Sequence, residues 1–220
     1  LEDAYSLDKR IFPWNHANCG DLNLSGERRP QSYLRETLWS DAPVSHIVVT
    51  PPVPSFPLNP NKADWSVWDF PDVVDHWNFP GYEGKKMTVS VYSNCEQVEL
   101  FLNGESLGKQ ENTADKKNTL VWEVPYAHGI LKAVSYNKGG EVGTATLESA
   151  GKVEKIRLSA DRTEIVADGN DLSYITLELV DSKGIRNQLA EELVEFSIAG
   201  DATIEGVGNA NPMSIESFVA

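Results

Sequence analysis

Asn103-Gly104 is the point in this sequence that leaves the chain least freedom. Val98, Leu100 and Leu102 alternate with Glu99, Phe101 and Asn103 just before it, the period-2 pattern of a half-buried strand. Both turn residues tolerate positive φ, which a two-residue type I′ hairpin requires. Val89 to Gly108 is therefore expected to run strand, turn, strand, tight turn, strand. Phe101 falls on the face opposite Leu100 and Leu102. A large aromatic there is unremarkable if covered and informative if bare.

The downstream chain continues in the same style. Leu120–Val124, Ile130–Tyr136 and Glu141–Leu147 read as strands, with turns at His128-Gly129 and Lys138-Gly139-Gly140. Short strands at this spacing predict a β-sandwich over about 46–150, opened by a strand at His46–Thr50. From 151 the pattern restarts. Strands are expected at Ile156–Ser159, Glu164–Ala167, Ser173–Val180, Val194–Ile198 and Ala202–Val207, an immunoglobulin-like sandwich lacking one or two of its seven strands. The fold class expected is mainly β, two immunoglobulin-like sandwiches in tandem.

Residues 1–45 differ. An aromatic stretch, Ile11 to His16, and a Gly/Ser loop, Gly20 to Gly26, precede a helix from Arg29-Pro30 to Ser40. Tyr33, Leu34, Leu38 and Trp39 form its apolar stripe. One helix after a strand end is not a domain; it reads as the last unit of something larger.

The 220 residues carry a net charge of −14, shared equally between 1–150 and 151–220. Such a surface repels phosphate backbones, which excludes nucleic acid as a partner. No apolar run approaches the roughly 18 residues of a membrane span. Leu1-Glu2-Asp3 shows no signal-peptide pattern, so the chain reads as a piece of a longer or processed one. Cys19 and Cys95 could form a disulfide, but two free, buried thiols are favoured.

Little chemistry is written in the sequence. His16, His46, His76 and His128 show no metal-ligand spacing, and phosphate loops, CxxC and nucleophile elbows are missing. No metal and no cofactor is expected. Asp168-Gly169-Asn170-Asp171 reads as a plain turn rather than a calcium loop. Trp65, Trp68, Phe70, Trp77 and Phe79 crowd into fifteen residues beyond the proline-rich run Pro51–Pro60. They could stack on sugar rings, but filling a seam between domains is favoured. Asp69, Asp72 and Asp75 beside them are expected to be a solvated rim. Trp14, Asn15, His16 and Asp21 stand at and beyond a strand end, where a β/α barrel presents its active site; core packing is the competing reading.

Several ordered motifs resemble one family. Asn18-Cys19-Gly20-Asp21-Leu22-Asn23-Leu24-Ser25-Gly26, with RRPQSYLRETLW after it, is similar to the last barrel segment of glycoside hydrolase family 2 β-galactosidases. His76-Trp77-Asn78-Phe79-Pro80-Gly81 resembles that family's HWNWPG motif, with Phe79 in place of Trp. VYSNCEQVELFLNGESLG resembles the following β-domain, and Ile156 to Gly184 the C-terminal immunoglobulin-like domain. The resemblance implies a TIM-barrel remnant at 1–45, a β-sandwich at 46–150 and an immunoglobulin-like domain at 151–220. It implies a retaining glycosidase whose two catalytic carboxylates lie upstream. No catalytic residue is carried over to this chain, which alone is expected to be inactive. Substrate contacts are expected, if anywhere, from Trp14, Asn15, His16, Asp21, Trp65, Trp68 and Trp77. The partners implied are carbohydrate, through the parent enzyme, and the rest of the barrel, with self-association of the exposed remnant. An extracytoplasmic location, periplasmic or secreted, follows by the same resemblance. A free-standing carbohydrate-binding module or a structural spacer is the alternative.

Overall fold

A computed structural model describes residues 20–55, 71–211 and 213–218. One helix opens it, α1 (Pro30–Trp39), with Pro30 where its missing N–H costs nothing. Seven strands follow: β1 (Ser45–Val49), β2 (Lys86–Ser93), β3 (Gln97–Leu102), β4 (Glu105–Glu111), β5 (Thr119–Pro125), β6 (Ile130–Asn137) and β7 (Gly140–Glu148). They form two antiparallel sheets, ordered β1-β2-β5 and β4-β3-β6-β7.

The sheets face each other across an apolar core. One wall brings Ile47, Val49, Val89, Val91, Leu120, Trp122 and Val124; the other brings Val98, Leu100, Leu131 and Ala133. These are the inward positions of the period-2 pattern, and most are wholly removed from water. Asn103 and Gly104 have φ of 52° and 87°, the pair of positive angles that the hairpin needs. Lys138 and Gly139, at 51° and 76°, turn β6 into β7 in the same way.

Beyond the sandwich, β8 (Lys155–Ala160) and β9 (Ile175–Val180) make a two-stranded antiparallel sheet. The chain is thus mainly β, as expected. The strands expected at Glu164–Ala167, Val194–Ile198 and Ala202–Val207 are not formed. A strand needs a neighbouring edge for its backbone N–H and C=O groups, and none is paired with these segments. Register places Ile156, Leu158 and Ile175 on one face of β8-β9, and all three are more than half exposed. Among the described residues no second sheet covers that face.

Candidate functional site

Trp14, Asn15, His16, Trp65 and Trp68 lie outside the described residues, as do Asp69, Phe70 and Cys19. Cys95 is a free, buried thiol. Asp21 and Trp77, the two other expected contacts, have different roles.

Trp77 has no exposed surface. Its indole N–H donates to the Ala127 carbonyl at 2.9 Å. Edge-on contacts to Tyr126 at 4.9 Å and Phe79 at 6.0 Å enclose the ring. A sugar can stack only on an open aromatic face, so Trp77 is not a binding platform. It plugs the end of the sandwich core. The rest of its motif fastens that plug. The Phe79 N–H donates to the Tyr126 hydroxyl at 3.1 Å, and the Asn78 N–H to His76 Nδ1 at 3.2 Å. Asn78 Oδ1 accepts the Ala150 N–H at 2.9 Å, and the Ser149 hydroxyl donates to the Trp77 carbonyl. Burial holds the His76 imidazole near pKa 4, neutral at physiological pH.

The plug continues into the joint with the C-terminal unit. The Gly151 N–H donates to Asp181 Oδ2 at 2.8 Å, and Asn187 Nδ2 donates to the Gly151 carbonyl at 3.0 Å. Asp181 also accepts the N–H groups of Lys183 and Ile185 at 2.9 Å each. These backbone donors, Gly151 foremost, pull its pKa below the usual carboxylate range.

Asp21 belongs to the N-terminal unit. Its carboxylate pairs with the Arg35 guanidinium of α1, and its carbonyl accepts the Arg29 N–H at 2.8 Å. It ties the Gly20–Gly26 loop to the helix. The helix meets the sandwich mainly through polar groups. Gln31, Ser32 and Thr37 are its buried residues. Asn118 Nδ2 donates to the Thr37 hydroxyl at 3.1 Å. Asn94 Nδ2 donates to the carbonyls of Ser40 and Ala42 at 3.0 and 2.9 Å. Asn94 Oδ1 accepts the Val44 N–H at 2.7 Å. Tyr33 stacks on His46 of β1, which burial and the Arg28 charge hold near pKa 4.

The apolar stripe expected on α1 is therefore split. Tyr33 is used, whereas Leu38 is 63% and Trp39 86% exposed. Leu22 and Leu24 of the preceding loop are about half exposed as well. These exposed apolar side chains are the strongest functional feature among the described residues. The sequence shows these residues but not which of them the sandwich leaves open.

Glu27 lies at the meeting of the three parts. Arg186 Nη1 sits 3.3 Å from Glu27 and 3.9 Å from Glu178. Asp75 feels the charges of Arg186 and Glu27, but burial dominates and raises its pKa. Its expected place in a solvated rim is thus corrected, while Asp72 is exposed and accepts the Ser55 N–H at 2.7 Å. Sequence carried no signal for Asn94, Asn118 or Arg186, because each acts on a residue fifty or more positions away. Among the described residues no group of His, Cys, Asp and Glu is arranged to hold a metal ion, and no helix is long and apolar enough to cross a membrane.

Residues 84–143 match a domain of unknown function (DUF4982), and residues 156–220 match the glycoside hydrolase family 2 C-terminal domain 5. A β-galactosidase of Bacteroides ovatus is 32% identical over 208 residues, 94% of this chain and 21% of that protein. A β-glucuronidase of Formosa agariphila is 32% identical over 155 residues, 68% of this chain and 15% of that protein. A crystal structure of a glycosyl hydrolase family 2 member from Bacteroides cellulosilyticus superposes with a TM-score of 0.95 at 97% identity, over 100% of this chain and 28% of that one. The chain thus spans about a fifth of the length of the curated relatives it matches. By its sequence, its sheets and these matches, the chain belongs to glycoside hydrolase family 2, as part of that family's C-terminal region.

Proposed function

We propose that this chain is the non-catalytic C-terminal buttress of a retaining β-galactosidase- or β-glucuronidase-like hydrolase acting in carbohydrate degradation. Its parts would be a barrel remnant at 1–45, a β-sandwich at 46–150 and an immunoglobulin-like unit at 151–220. The names of the relatives support the substrate class. The observation that carries the buttress role is an N-terminal unit fastened to the sandwich that still exposes apolar side chains. Asn94, Asn118 and the Tyr33–His46 stack fasten it to the sandwich, while Leu22, Leu24, Leu38 and Trp39 stay bare. Burying such side chains stabilises by about 1.5–3 kcal/mol each, enough for them to seat the rest of a barrel.

The test has two arms. The purified chain should not hydrolyse nitrophenyl β-galactoside or β-glucuronide; turnover by the pure protein would refute the non-catalytic role. In the parent enzyme, Trp39→Glu with Leu38→Glu should lower the melting temperature and activity together. An unaffected parent would mean that these side chains do not seat the barrel.

A further inference from the structure

The outer face of the sheet β4-β3-β6-β7 carries a second feature, independent of the buttress role. Phe101 points away from the core, as its place in the alternation requires. It is only half-buried, and among the described residues no aromatic ring covers it. Phe101 pairs across the strands with Lys132. With Ile130 and Val134 they floor a shallow depression of about 470 Å³, closed at one end by Asn103 and Gly104. That volume lies within the roughly 300–1,000 Å³ of small-ligand sites.

The end wall is rigid. Asn103 Oδ1 accepts the Ile130 N–H at 2.8 Å, and its Nδ2 donates to the His128 carbonyl at 3.2 Å. That end of the depression is therefore held in place without a ligand, which limits the ordering entropy lost there on binding.

Lys132 sets the ligand's charge. Register gives it Glu99 and Glu148 as diagonal carboxylate neighbours on this face. Both are engaged elsewhere. Glu99 accepts the Ser106 hydroxyl at 2.6 Å and the Tyr136 hydroxyl at 3.2 Å, with Lys109 at 3.9 Å. Glu148 lies 3.4 Å from Lys183. Among the described residues Lys132 is left as an exposed ammonium without an ion-pair partner, beside a half-buried aromatic ring. The net charge of −14 opposes an acidic ligand at long range. At physiological salt, however, it is screened beyond about 8 Å. The local cation then decides.

We propose that this face is an accessory binding site for a uronate-bearing sugar. Phe101 lies against the C–H face of the pyranose ring, and Lys132 pairs with its carboxylate. The Asn103-Gly104 turn bounds the site. No covalent step is involved.

Methyl β-glucuronide and methyl β-glucoside differ only at C6 and make the test direct. Each is titrated into the full chain at physiological salt, with amide shifts of β3 and β6 followed by NMR. The glucuronide should bind about tenfold more tightly than the glucoside. Lys132→Met should erase that preference, and Phe101→Ala should weaken both ligands about tenfold or more. Lys132 is exposed, so its variant tests the charge pairing even if Phe101→Ala unfolds the sheet. Equal binding of both ligands, indifference to Lys132→Met, or no saturable shift on β3 and β6 would each overturn the proposal.

Discussion

Tyr33 lies flat on His46, ring centroids 3.6 Å apart and planes 12° from parallel. The Arg28 guanidinium sits 3.9 Å from the Tyr33 ring centroid, and His46 Nε2 is buried without a hydrogen-bond partner among the described residues. A neutral imidazole tolerates that site; a charged one does not. Burial is the main reason, with Arg28 adding to it and Glu36 opposing.

Acid should therefore loosen the joint between α1 and the sandwich. His46 and His76 both fall from 6.5 to about 4 in the folded protein. As pH falls, the unfolded chain takes up their protons first. Their contribution is complete above 6.5 and is lost as pH drops from 6.5 to about 4. Each shift corresponds to at most about 3 kcal/mol. Asp75 acts in the opposite sense: its raised pKa lets the folded protein bind the proton first, so it adds stability as pH falls through that value. Urea unfolding at a series of pH values should show stability declining over the histidine window. His46→Phe, which preserves a stacking ring, should remove roughly half of that decline. An unchanged slope would mean that His46 is not held neutral.

Gly129 is fixed by Asn103. A Cβ at Gly129 would fall 1.9 Å from Asn103 Oδ1, and φ there is 141°. Gly129→Ala should cost about 2 kcal/mol or more in urea unfolding, from backbone strain and loss of the Asn103 hydrogen bonds. Removing the Asn103 side chain should lower the further cost of Gly129→Ala. A double-mutant cycle with Asn103→Gly should therefore be non-additive.

Trp77 should behave as a structural side chain. Trp77→Ala should cost about 4 kcal/mol through the cavity and the lost indole hydrogen bond. Quenching by iodide should spare Trp77 and reach Trp39, which is 86% exposed. Comparing the parent chain with Trp39→Phe isolates the difference.

The exposed apolar side chains of the N-terminal unit should also govern association. Sedimentation of the isolated chain should show concentration-dependent self-association that Leu38→Glu with Trp39→Glu suppresses, at no loss of melting temperature. Neither side chain is packed against the sandwich, so the substitutions remove only exposed apolar surface.

What was legible in the sequence follows from period. Val98, Leu100, Leu120, Trp122 and Val124 are buried because alternation assigns a strand's faces before any partner is known. Asn103-Gly104 and Lys138-Gly139 turn where they must, because positive φ is a local property of the residue. The ordered motifs pointed to glycoside hydrolase family 2 for the same local reason.

Tertiary structure decided everything that depends on who covers whom. In sequence Trp77 could be a sugar platform or, the favoured reading, a filler between domains; Phe79, Tyr126 and Ala127 close around it and make it a core plug. Tyr33 and Trp39 read alike on α1, yet His46 meets one and nothing described here meets the other. The strand-like stretches after 190 satisfy the alternation but form no paired ladder among the described residues. Alternation tells a chain which side is apolar. Only contact with a neighbouring element, often fifty residues away, decides whether that side is buried.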